Sequence, residues 1–88
     1  MATVHLPRSL VALLPGPPPR RLEVPGATLD EVLRALDTAW PGAWDRVCEA
    51  GPRIREHMNV FVDGHRGDLA TPVGPGSIVH IIPAVSGG

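Results

Sequence analysis

The chain has 88 residues, enough to build one small core and too few for a second. With 43% hydrophobic residues, 19% charged residues and a formal net charge of -1, it is neither a disordered polyelectrolyte nor a basic nucleic-acid binder. No apolar run approaches the roughly 20 residues that cross a bilayer, and Met1-Ala2-Thr3-Val4-His5 lacks a basic segment followed by an apolar one, so a cytoplasmic, membrane-free domain is expected.

One cysteine, Cys48, cannot form an internal disulfide, and four scattered histidines offer no zinc-ligand spacing, so no metal site is expected. All eight basic residues are arginine, which we read as a bias of base composition rather than a functional exclusion of lysine. Of the eleven prolines and ten glycines, only those in residues 15–19 cluster; the others sit singly between apolar segments and punctuate a fold.

Val4 and Leu6 alternate with Thr3 and His5, which predicts a strand over residues 2–6, ended by Pro7. Leu10, Val11, Leu13 and Leu14 form an apolar patch before the proline cluster. The chain then returns through Arg21-Leu22-Glu23-Val24, which alternates again, so an opening hairpin with a broad loop is expected. Thr28 and Glu31 have the spacing of a capping box, in which the threonine oxygen takes the Glu31 amide and the glutamate reaches back to the Thr28 amide. Leu29, Val32, Leu33, Leu36 and Trp40 then make one apolar helical stripe that stops at Pro41 and Gly42. Trp44, Val47 and Cys48 predict a short second helix closed by Gly51 and Pro52.

Met58, Val60 and Val62 alternate with Asn59 and Phe61, and Asp63 and Gly64 supply a tight turn. Leu69 is expected to plug the core beside a brief fourth strand or an irregular crossing. Residues 77–82 form the most β-prone run and read as a central strand. Pro83 has no N–H to donate, so regular pairing is expected to stop there, dividing the chain into a domain of residues 1–83 and a tail of residues 84–88. The expected fold is α+β, a mixed sheet of four to five strands with one main helix on one face and a flexible Gly-Gly tail.

Two features carry chemistry. The first is the tail: Val85, Ser86 and Gly87 lead to Gly88, whose side-chain-free backbone can thread a narrow cleft and whose terminal carboxylate is anionic at neutral pH. Extended, such an arm reaches on the order of 15 Å beyond the sheet. The second is a face of the sheet. If Val60, Val62, Val79 and Ile81 face the helix, then Phe61, Ile78, His80 and Ile82 face away, a patch more apolar than a small monomer leaves bare without a partner. Coverage by residues 8–19, or a homodimer, is the alternative. Among weaker candidates, Cys48 reads as core filler rather than a reactive thiol. His57 and His65 flank the third strand and could meet, but no carboxylate or cysteine completes a site. Arg20, Arg21, Arg53 and Arg55 could form a basic rim for an acidic partner, though not for nucleic acid.

The order of elements, Leu6-Pro7 with Leu10, Asn59-Val60-Phe61-Val62, and Pro83-Ala84-Val85-Ser86-Gly87-Gly88 together resemble the ubiquitin-like β-grasp sulfur carriers of the ThiS and MoaD group, most closely its CysO-type members. Ala84 stands where MoaD-like tails more often have a second proline. The resemblance implies that an E1-like enzyme adenylates the Gly88 carboxylate with ATP and Mg²⁺ and that a sulfur donor then makes a thiocarboxylate. A second enzyme would accept the sulfur: a PLP-dependent cysteine synthase with a metallopeptidase releasing cysteine, or a pterin enzyme. It implies no catalytic residue and no bound cofactor in the carrier. A ubiquitin-like covalent modifier and a small subunit of a molybdopterin-synthase-like complex remain alternative readings.

Overall fold

A computed structural model describes residues 1–84. Strand β1 (Ala2–His5) leads into a short helix α1 (Arg8–Val11), and β2 (Arg21–Val24) returns antiparallel to β1. The patch before the proline cluster is thus partly helical. The Pro7 carbonyl accepts from the amides of Leu10 and Val11 at 3.1 Å each, and Leu10 and Leu14 enter the core while Leu13 stays outside.

Helix α2 (Leu29–Ala39) buries Leu29, Val32, Leu33 and Leu36 along one face. Its start is satisfied from two directions. Thr28 Oγ1 accepts from the Glu31 amide at 3.2 Å as expected, but the Glu31 carboxylate accepts from the Ala27 amide at 3.1 Å, one residue earlier than a standard capping box. The unpaired first-turn amides are taken by a distant segment: Leu29 donates to the Thr71 carbonyl at 2.9 Å and Asp30 to that of Leu69 at 3.0 Å. The predicted irregular crossing therefore caps the helix as well as plugging the core with Leu69.

Helix α3 (Ala43–Val47) is anchored by Asp37, whose Oδ1 accepts from the Gly42 and Trp44 amides at 3.1 and 2.9 Å. Arg34 stacks over the Trp44 ring at 4.3 Å and fastens the two helices on the outside. Cys48 lies just past α3 rather than within it. It begins β3 (Cys48–Glu49), which pairs with β4 (Arg53–Ile54) in a two-stranded ribbon that alternation could not reveal, since two residues carry no period.

Strand β5 (Met58–Val62) turns at Asp63 and Gly64, both at positive φ (51° and 84°), into β6 (His65–Arg66). The last described strand is β7 (Ile78–Pro83). The five-stranded sheet has the order β2-β1-β7-β5-β6, with β7 central, parallel to β1 and antiparallel to β5. Helix α2 covers one face, where its leucines meet Val4, Val60, Val79 and Ile81 in a single core. This is the mixed sheet and helix of the ubiquitin-like β-grasp fold.

The strand ends at Pro83 as expected, but one further backbone bond ties Ala84, the first residue of the expected tail, to the sheet. Met58 lies opposite Pro83, and the Ala84 amide donates to the His57 carbonyl at 2.7 Å. Proline lacks a donor, but its neighbour supplies the next bond. Val85, Ser86, Gly87 and Gly88 lie outside the described residues.

Candidate docking face

The side of the sheet away from α2 is set by alternation along β5 and β7. Val60, Val62, Val79 and Ile81 are buried, and Phe61, Ile78, His80 and Ile82 point the other way. Ile78 and Ile82 are 45% and 43% exposed, and Phe61 is half-buried. Residues 8–19, the alternative cover, contribute nothing to the lining of this face, and Leu10 and Leu14 are buried in the core instead. Phe61, Ile78, His80 and Ile82, with Asp63 and Gly64 at one end, line an open concavity of ≈ 560 Å³.

Asp63 holds the register of this face. Its Oδ1 accepts from the Ile78 amide at 2.9 Å and its Oδ2 from the Ser77 hydroxyl at 2.8 Å, while its own amide donates to the Ile78 carbonyl at 2.9 Å. The backbone bond from Ile78, followed by the Ser77 hydroxyl, holds its carboxyl below the usual carboxylate range. In the sequence Asp63 read only as a turn residue; its second role depends on β7 starting beside the turn.

His80 has a neighbour that sequence reasoning missed. Parallel pairing of β1 and β7 sets His5 opposite His80, and the two imidazoles stack with centroids 4.4 Å apart and planes at 18°. Desolvation, then His80, then Arg21, push the His5 pKa down from 6.5, so its ring is neutral at physiological pH.

The remaining candidates separate. His57 and His65 do not meet: they sit at opposite ends of β5, since a strand extends its flanks apart. Arg20 donates to the Leu6 carbonyl beside the β1–β2 edge, whereas Arg53 and Arg55 bond Glu49 and the Asp45 carbonyl around β4, so the four arginines form no single rim. Cys48 is buried, and its thiol is pushed up to about 11, first by desolvation and then by Asp30, against the opposing Arg34 and Arg55. It is an unreactive core thiol at neutral pH. Among the described residues no group of three or more His, Cys, Asp or Glu side chains could hold a metal ion, and no helix is long and apolar enough to cross a membrane.

Comparison with known proteins assigns the fold to a family. Residues 16–88 match the model of the ThiS family. No curated protein matches the sequence. Among solved structures, CysO in the Amycolatopsis orientalis BexX/CysO complex is similar at 25% identity and TM-score 0.83, covering 100% of both chains. Mycobacterium tuberculosis CysO shares the fold at 24% identity and TM-score 0.80, with 97% of this chain and 100% of that one covered. SAMP1 from Haloferax volcanii is 30% identical with TM-score 0.75, covering 99% of this chain and 98% of its own. With a family model that runs from residue 16 to residue 88 and a matching β-grasp frame, the chain belongs to the ThiS family of ubiquitin-like sulfur carriers and modifiers.

Proposed function

We propose that the chain carries sulfur as a thiocarboxylate on Gly88. The observation that supports this reading best is the family match running through Gly87 and Gly88. An E1-like enzyme transfers AMP from ATP-Mg²⁺ to the Gly88 carboxylate and releases pyrophosphate, which replaces a poor leaving group with a good one. A sulfur nucleophile then attacks the acyl carbon and expels AMP. The softer sulfur attacks an electrophile on an accepting enzyme, and hydrolysis or peptidase cleavage regenerates Gly-Gly. Cysteine formation on a PLP-dependent synthase, with a metallopeptidase as the releasing enzyme, is the favoured outcome, supported by the likeness to CysO. The carrier supplies no catalytic side chain and binds no cofactor; ATP and Mg²⁺ belong to the activating partner.

In this reading the face bearing Phe61, Ile78, His80 and Ile82 docks the activating enzyme, and Val85, Ser86 and Gly87 thread its cleft. The likeness to SAMP1 favours a second reading, covalent attachment of Gly88 to amines of other proteins. A subunit role in a molybdopterin-synthase-like complex has no comparable support.

Intact-mass measurement of the native protein separates the two. An oxygen-to-sulfur exchange localised to Gly88 is expected of a carrier, and amide-linked adducts without that exchange are expected of a modifier. Phe61→Asp should abolish loading by the activating enzyme while leaving the amide spectrum of the folded chain intact; normal loading would remove the docking role of this face.

A further inference from the structure

The strand registers place one residue from each of the five strands in a single row across the sheet. Arg21 on β2 lies opposite His5 on β1, His5 opposite His80 on β7, His80 opposite Phe61 on β5, and Phe61 opposite Arg66 on β6. Directly paired residues share a face, and Phe61 and His80 face away from α2, so all five side chains stand on the open side. With strands about 4.8 Å apart, the four intervals span about 19 Å. The middle of the row is an aromatic platform, two stacked imidazoles and a phenyl ring, flanked along β7 by Ile78 and Ile82. Each end is an exposed guanidinium that forms no ion pair among the described residues.

Two carboxylates share this face, each oriented by hydrogen bonds that do not cancel its charge. Glu23 accepts from the Thr3 hydroxyl at 3.0 Å, and Asp63 is held by Ser77 and Ile78. The row itself contains no acid, so its aromatic middle is bounded at both ends by cations that packing does not require.

We infer that the partner seated on this face presents an apolar surface bordered by carboxylates at about the 19 Å spacing of Arg21 and Arg66, lying across the strands rather than along them. The inference rests on the docking reading above and adds the chemistry of the occupant. A second copy stacked row on row is disfavoured. A two-fold axis in the plane of the contact, along the row or across it, brings guanidinium against guanidinium. A nucleic acid does not fit either, because phosphate backbones are held by runs of cations, and two guanidiniums about 19 Å apart on a chain of net charge -1 do not supply one.

The test uses the full chain and the E1-like adenylating enzyme of the same genome, with carrier-dependent ATP–pyrophosphate exchange giving the apparent KM for the carrier. Arg21→Glu and Arg66→Glu should each raise that KM about threefold to tenfold, as expected when a rim pair becomes a repulsion. The KM of the native chain should rise with salt, and the double variant should flatten that dependence. Arg53→Glu, at the two-stranded ribbon, should leave it unchanged. Arg21→Gln and Arg66→Gln, checked for native amide spectra, remove the charge without reversing it and should give smaller losses in the same order. If the double charge reversal stays within twofold of the native KM while Phe61→Asp is defective, the face docks but the acidic border is wrong. If a folded Phe61→Asp variant is loaded normally, the docking reading itself falls. Self-association of the native chain in sedimentation, abolished by Phe61→Asp, would replace the acidic partner by a second copy and overturn the inference.

Discussion

The two faces of β7 are made of nearly the same material and have opposite fates. Val79 and Ile81 are buried at 0% and 2% exposure, whereas Ile78 and Ile82, from the same six-residue strand, stay close to half exposed. Burial on the α2 side contributes about 25 cal/mol for each Å² of apolar surface removed from water. On the open side that contribution is left largely unrealised in the isolated chain. Apolarity alone therefore does not decide burial in this chain; the side of the sheet does.

The contrast can be broken most severely from the covered side. Leu33→Ala, at a fully buried position of α2 facing the sheet, should cost about 2–5 kcal/mol in denaturant unfolding without altering the residues of the open face. A loss below 1 kcal/mol would show that the core collapses around the gap. Next in size is the start of the same helix: Thr28→Ala removes the acceptor of the Glu31 amide and should cost about 1 kcal/mol. Because Leu29 and Asp30 are capped by the crossing segment, the loss should not spread to hydrogen exchange at those two amides.

Smaller effects test the open side through pH. The folded Asp63 carboxyl titrates below its ordinary value of 3.8, so its contribution is present above that value and is lost as pH falls through the lower folded pKa. Asp63→Asn should therefore lower thermal stability at pH 6 and flatten the acid limb of the Tm–pH curve. For His5 the folded state disfavours the charged ring, so the unfolded chain binds more protons around and just below pH 6.5, and stability rises with pH there. His5→Gln should remove that slope, read as Tm between pH 5 and 7.5. Smallest of all, Ile82→Thr keeps β-branching at an exposed site and should leave unfolding free energy within about 0.5 kcal/mol. Under the proposed docking the variant should instead raise the apparent KM for the activating enzyme, and a large stability loss would mean that Ile82 is structural.

Much of this arrangement was legible one segment at a time. The Thr28–Glu31 spacing and the stripe through Leu36 announced α2, and alternation along residues 58–62 and 77–82 separated Phe61, Ile78, His80 and Ile82 from the core without any coordinates. What stayed hidden was non-local or too short to carry a period. The β3–β4 ribbon has two residues per strand, the capping of α2 by Leu69 and Thr71 depends on where a loop crosses, and Asp63 finds Ser77 and Ile78 only once β7 lies beside its turn. His57 and His65, read as solvated side chains that complete no site, are both exposed and stand at opposite ends of β5.

By itself the sequence determined which residues face in and which face out, because side-chain direction follows local periods of 2 and 3.6 residues that no distant contact can change without losing the core. It also supplied the tail residues and the family likeness that the match over residues 16–88 bears out. Only the tertiary structure decided who stands beside whom. The parallel pairing of β1 with β7 brings residues from opposite ends of the chain into register, stacks His5 on His80 and completes the row from Arg21 to Arg66. Strand order and register are set by how the strands and helices share a single core, and such a sum over long-range contacts is not written in any one stretch of residues.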